Sequence, residues 1–190
     1  KYSSLEDFLS SRPLDVDGML NDGWGAYFPV KGRVIDATIL FVDVSGFSAR
    51  TSDLHPVETL IFVNNFFTWI TAEAMQTSKG IIDKYIGDEM MVVFSKEFGS
   101  DDPFVDAVHA ARFMAEHDHI GFGMHAGIAS GEVVVGYAGT PLKYDCSVFG
   151  HPVTIARRCC GVPPSDICSS HMVFPAAHWG TRVFDDVFRK

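Results

Sequence analysis

The stretch Ala37-Thr-Ile-Leu-Phe-Val-Asp43-Val-Ser-Gly46-Phe47 constrains this chain more than any other, because an apolar run delivers one acid to a Gly-Phe turn. Residues 34–42 are dense in β-branched and aromatic side chains and predict a buried strand, broken at Ser45-Gly46 by a turn that a helix can follow. A carboxylate at the end of a core strand is costly, and it is tolerated mainly when paired, hydrogen-bonded or bound to a metal. Something in the fold must therefore meet Asp43.

A second acid supplies one answer. Ile81-Ile-Asp-Lys84-Tyr-Ile86 and Met90-Met-Val-Val-Phe94 read as strands around Gly87-Asp88-Glu89, a β-hairpin with an acid at its tip. Where this hairpin neighbours the first strand, Asp43 and Asp88 converge. Between them, residues 58–75 carry Leu60, Val63, Phe67, Ile70 and Ala74 at helical spacing, which predicts a helix packed by that face on the sheet.

A second helix is expected over residues 103–116, with Asp101 or Asp102 as N-cap and Pro103 at the first helical position. Val105, Val108, Ala111 and Phe113 supply most of its predicted buried face. His117-Asp118-His119 reads as a solvated turn rather than a metal cluster. Residues 121–139 predict two strands joined at a glycine turn; no helical pattern follows, so the glycines are not a dinucleotide loop but turns or points of close packing. A short strand ends at Gly150, and Pro152 opens a helix on which Thr154 and Arg158 share a face. Pro163-Pro164 stops that helix, and closing strands are expected over residues 167–170 and 183–188.

Composition bounds the rest. At 190 residues and 47% apolar, the chain is long and apolar enough for one globular domain. It divides into an irregular arm, residues 1–33, and a domain, residues 34–190. The arm holds a short amphipathic stretch, residues 5–9, and the aromatics Trp24, Tyr27 and Phe28, and reads as a strap, with a dimer contact or site lid as alternatives. A net charge of -9 argues against a nucleic-acid polymer as partner, though not against a metal-assisted site for a small polyanion. No apolar run approaches the roughly 20 residues of a membrane helix, and the first residues lack a signal-peptide pattern. Cys146, Cys159, Cys160 and Cys168 lack CxxC spacing and read as reduced thiols, so a cytoplasmic protein is expected.

The order of these parts resembles the class III nucleotidyl cyclase catalytic domain over about residues 36–188. Phe41-Val-Asp43-Val-Ser-Gly46-Phe47 is similar to that family's first metal-binding stretch, and Lys84-Tyr-Ile-Gly87-Asp88-Glu-Met-Met to its second. Gly127-Ile-Ala-Ser-Gly131-Glu-Val-Val-Val-Gly136 and Val148-Phe-Gly150-His-Pro-Val-Thr154-Ile-Ala-Arg157-Arg158 resemble its later signatures. The resemblance implies an α+β fold with a ferredoxin-like palm sheet, mostly antiparallel and flanked by helices. It also implies a head-to-tail homodimer with shared active sites. Asp43, Asp88 and the Val44 carbonyl would hold two divalent cations, Mn²⁺ or Mg²⁺. Backbone amides of Val44, Ser45, Gly46 and Phe47 would cradle the β- and γ-phosphates of a nucleoside triphosphate. Arg158 of the partner subunit would stabilise the transition state, and Lys84 and Ser147 would face the base.

Departures from the family's pattern bear on the substrate. Thr154 stands where the family usually has Asn, which alters ribose positioning, and Ser147 stands where it carries Asp, Thr or Cys. Lys84 with a serine can still read adenine. The short single-domain chain, the missing Asn and the absent sensor or membrane module look more like the pyrimidine cyclases of bacterial Pycsar anti-phage systems, whose cyclic product activates a separate effector. UTP is the expected substrate, then CTP, with an adenylate or guanylate cyclase as the alternative. A catalytically silent, nucleotide-binding homologue is the alternative of another class. A diguanylate-cyclase palm ranks lower, because its hairpin calls for Gly-Gly-acid-acid where this chain has Ile86-Gly87-Asp88-Glu89.

Overall fold

The computed structural model describes residues 2–21, 27–75, 78–118, 121–140, 142–161 and 172–173. Helix α1 (Leu5–Ser10) leads into strands β1 (Val16–Asn21) and β2 (Tyr27–Val44), then helices α2 (Phe47–Thr51) and α3 (Pro56–Trp69). The hairpin β3 (Ile81–Ile86) and β4 (Glu89–Phe94) precedes α4 (Pro103–Glu116), strands β5 (Met124–Thr140) and β6 (Lys143–Phe149), helix α5 (His151–Cys160) and the short β7 (Met172–Val173). Trp24, His119, Cys168, the Pro163-Pro164 stop and the strands expected over 167–170 and 183–188 lie outside the described residues.

The central sheet runs β3-β4-β2-β5-β6 with antiparallel neighbours throughout, as the α+β palm reading requires. β1 adds to β2, and β7 runs parallel to β5. The apolar run within β2 has a direct cause: residues 37–42 are buried on both faces of the sheet. Leu40, Val42 and Val44 join one core with residues of α3 and α4. Ile35, Ala37, Ile39 and Phe41 join another with Leu5, Phe8 and Leu9 of α1 and with Ala156 and Cys160 of α5. β2 runs unbroken from Tyr27, so position 33/34, taken from the sequence as the start of the domain, lies in mid-strand.

Both helical faces match the periodicity only in part: Ile70 on the first and Val108 and Ala111 on the second are buried as expected. On α3 and the single π-turn that extends it over Ile70–Ala74, the buried residues are Phe66, Trp69 and Ile70, while Leu60 is 61% exposed. Phe122 draws the rings inward, with its centroid 5.3 Å from Phe66 and 5.9 Å from Trp69, and the π-turn shifts the phase of the helix beyond them. On α4, Asp102 is the N-cap as expected, accepting from the Val105 amide at 3.2 Å. Its buried face is Ala107, Val108, Ala110, Ala111 and Met114, because three alanines let the helix close on the sheet; Phe113 instead stacks on His117 at the exposed end.

The two strands expected over residues 121–139 are one, β5, with no turn at its glycines. The glycines serve packing instead. A Cβ on Gly127 would sit on the Ala156 carbonyl oxygen and the Cys160 amide nitrogen, so α5 crosses the sheet as closely as it does only over a residue without a side chain. Gly127→Ala is expected to destabilise the fold by about 1–3 kcal/mol, the usual cost of overpacking. A urea midpoint equal to that of the parent chain contradicts this.

Candidate active site

The site begins where the sheet frays. β4 last pairs with β2 at Val42↔Met90, whereas β5 continues through Asp43↔His125 and Val44↔Met124. Asp43 and Val44 therefore emerge beyond β4, toward the turn that joins it to β3. Gly87 makes that turn at φ 66, a left-handed conformation open to glycine, and Asp88 follows it. Asp88 lies within reach of Asp43's charge: burial first, then the negative charges of Asp88 and Glu89, pushes the Asp43 carboxyl up to about 6.

Within this cluster Asp43 Oδ1 is buried and has no hydrogen-bond partner. The His125 ring Nδ1 is 3.5 Å away, too long for a hydrogen bond; the Cys160 thiol on α5, which donates to the carbonyls of Phe41 and His125, and the His125 backbone amide offset part of the burial effect on Asp43. An unfolded Asp titrates near 3.8, so the folded chain holds this proton more tightly. The stability that the protonated group contributes is present below about 4 and is lost as pH rises through about 6. Asp43→Asn is therefore expected to raise the melting temperature of the metal-free protein at pH 7–8 and to flatten its decline between pH 4 and 6. Mn²⁺ should stabilise the parent chain and not this variant; equal Mn²⁺ shifts in both contradict the assignment.

The turn after Asp43 is held from outside. Ser45 donates its amide to the Gly123 carbonyl at 2.9 Å, and Gly46, at φ 64, caps α2. Arg50 of α2 bonds the carbonyls of Phe122 and Gly121 and lies over the Phe62 ring at 5.3 Å. Asp118 in turn accepts from the amides of Gly121, Phe122 and Gly123. Neither Arg50 nor Asp118 stands out in the sequence, since their partners are backbone atoms some distance along the chain or in an irregular loop.

On α5, Pro152, Ala156 and Cys160 face inward, while Thr154 and Arg158 share the exposed face as their spacing predicts. Among the described residues neither forms a hydrogen bond or ion pair with Asp43 or Asp88. Arg157, next to Arg158, reaches Glu89 beside the hairpin tip with N–O distances of 3.0 and 3.4 Å. This contact ties α5 to the strand that follows Asp88.

Lys84 and Ser147 also come together, through a residue the sequence reading passed over. Ser147 is 3% exposed, and its hydroxyl donates to Asp83 Oδ2 at 2.7 Å. Lys84 Nζ lies 3.4 Å from the same oxygen. Burial pushes the Asp83 carboxyl up, against the opposing pull of Ser147 and Lys84. Strict alternation along a strand gives no hint of this arrangement, because the register of β3 on β4 slips between Ile82 and Lys84, at Asp83 itself.

Comparison with known proteins finds the same family from two directions. Residues 30–164 match the adenylate and guanylate cyclase catalytic domain. Over 152 residues, 70% of this chain, it is 30% identical to an adenylate cyclase of Anabaena cylindrica, of which it covers 28%. The chain thus spans less than a third of that relative's length. Among solved structures, the adenylyl cyclase CyaB from P. aeruginosa superposes with a TM-score of 0.59 at 24% identity, over 67% of this chain and 71% of that one. The guanylyl cyclase Cya2 does so with a TM-score of 0.56 at 29% identity, over 67% and 70% of the two chains.

Proposed function

This chain belongs to the adenylate and guanylate cyclase catalytic domain family, and on that premise we propose that it is a nucleotidyl cyclase acting on a nucleoside triphosphate as a homodimer with shared sites. The observation that carries this reading is Asp43: a half-buried carboxylate at a strand end, its Oδ1 buried without a hydrogen bond, beside Asp88 on the neighbouring hairpin. A pair of crowded acids of this kind suits a hard divalent cation, which supplies the missing partner and relieves the repulsion.

Asp43, Asp88 and the Val44 carbonyl would hold two such ions, Mn²⁺ or Mg²⁺; bound there, they acidify the ribose 3′-hydroxyl and neutralise charge on the triphosphate. Of the amides from Val44 to Phe47, that of Ser45 is taken by the Gly123 carbonyl; the others orient the β- and γ-phosphates at the turn that Arg50 and Ser45 hold in place. The 3′-hydroxyl gives its proton to solvent water and its oxygen attacks the α-phosphorus; the bond from that phosphorus to the bridging oxygen breaks, and pyrophosphate leaves. Arg158 of the partner subunit meets the charge that develops at the α-phosphate, with Thr154 of the partner subunit beside the ribose. Lys84 and Ser147 form the base end of the site.

UTP is the proposed substrate, with CTP second, and the cyclic product serves as a second messenger for a separate effector in anti-phage defence. The support is Thr154 in place of the family's usual Asn. A purine reading has its own support in Lys84 and in the adenylate and guanylyl cyclases among the relatives. Incubation with each of the four NTPs and Mn²⁺, read by mass, tests both. Cyclic UMP as main product is the expected result, and a purine product shifts the reading to the second substrate class. The absence of any cyclic product overturns the enzyme and leaves a nucleotide-binding homologue.

A further inference from the structure

We propose that Asp83 is a specificity-determining positioning residue, which fixes the Lys84 ammonium at the base end of the site and through which Ser147 acts. β3 and β6 stand at opposite ends of the strand order, four spacings apart, or roughly 19 Å in a flat sheet. The Asp83–Ser147 hydrogen bond closes that span to 2.7 Å, so it is a tie across a curled sheet rather than a contact between neighbours. Asp83 occupies the slip in register of β3, where a bulge turns a side chain away from its regular direction. The residue after Lys84 is anchored as well: the Tyr85 ring packs at a tilt on Phe67, centroids 4.1 Å apart, and its hydroxyl meets Thr71 at 3.2 Å.

Exposure separates the roles of the three groups. The Asp83 side chain is 1% exposed and Ser147 3%, whereas the Lys84 side chain keeps 39%. Of the three, the ammonium is the group a ligand reaches first. A lysine has a long flexible stem, and a fixed carboxylate beside its head group confines it. The Ser147 proton is committed to Asp83 Oδ2, the oxygen that also faces Lys84, so the hydroxyl holds the carboxylate while the carboxylate holds the ammonium.

The proposal rests on the cyclase reading for the direction in which Lys84 faces, and its test is a binding measurement independent of turnover. Affinities of the whole chain for UTP, CTP, ATP and GTP are measured by calorimetry with Ca²⁺ as the metal. Asp83→Asn is expected to shrink the ratio between the best and worst base by about tenfold, within the range of coupling between contacting groups. Ser147→Ala shrinks it partway, and Ser147→Thr restores it. In a Lys84→Gln background neither Asp83→Asn nor Ser147→Ala changes the ratio further. Base selectivity unchanged in Asp83→Asn overturns the proposal, as does a Ser147→Ala effect that persists without Lys84, or a parent chain that binds all four equally. Should Asp83→Asn fail to fold by circular dichroism, the Ser147 variants in both backgrounds decide. Base-selective binding without any cyclic product refutes the enzyme and leaves the positioning role to the same comparison.

Discussion

Asp43→Ala and Asp88→Ala are each expected to abolish cyclic nucleotide formation while leaving the chain folded. Each acid is assigned to the metal pair, and no neighbouring residue duplicates it: His125 is 3.5 Å from Asp43, and Glu89 is engaged by Arg157. The loss should exceed the hundredfold or so typical of removing a single charged or hydrogen-bonding stabiliser of a transition state. Folding should survive because Asp43 costs the metal-free protein stability at neutral pH, its carboxyl being raised by burial and by Asp88. Turnover is followed by mass and folding by melting temperature. Turnover equal to that of the parent chain in either variant refutes the metal assignment.

Arg158→Ala carries the second large effect. Its guanidinium lies on the exposed face of α5 and has no partner among the described residues, which fits a group that waits for charge brought by substrate. The turnover number should fall on the order of a hundredfold with KM little changed, since the contact forms mainly in the transition state. Its location in the partner can be tested separately. Mixing Asp43→Ala with Arg158→Ala chains, each inactive alone, should restore about a quarter of parental activity, because random pairing makes half the dimers mixed and each of those holds one intact site. No recovery in a mixture shown to exchange subunits refutes the shared site.

Much of this site was legible because its acids sit at places where the chain changes character. Asp43 ends a run of apolar residues, and Asp88 follows the glycine of a tight hairpin; both positions are local patterns. The fold class came from the resemblance that these motifs, taken in order, bear to the cyclase catalytic domain, and Asp102 and Pro103 marked the start of α4. Facts decided by long-range packing were not legible. The face that α3 buries depends on Phe122, more than fifty residues later, and the face of α4 depends on how closely alanines let it approach the sheet. Gly127 and Gly131 suggested a turn because glycine permits one, yet at Gly127 the glycine makes room for α5. Asp83 was invisible for a related reason: a one-residue slip in pairing redirects its side chain, and Ser147, its partner, lies at the other end of the sheet.

The two cores on β2 also limit how a second copy can approach. Helices α3 and α4 cover one face of the central strands and α1 and α5 the other, so neither broad face of the sheet is open ground. Among the described residues, the strand end at Asp43, the hairpin tip at Asp88 and the outward side of α5 with Thr154 and Arg158 lie instead on the rim. In the proposed homodimer the chemistry would therefore sit at the border, where two incomplete edges make one whole pocket.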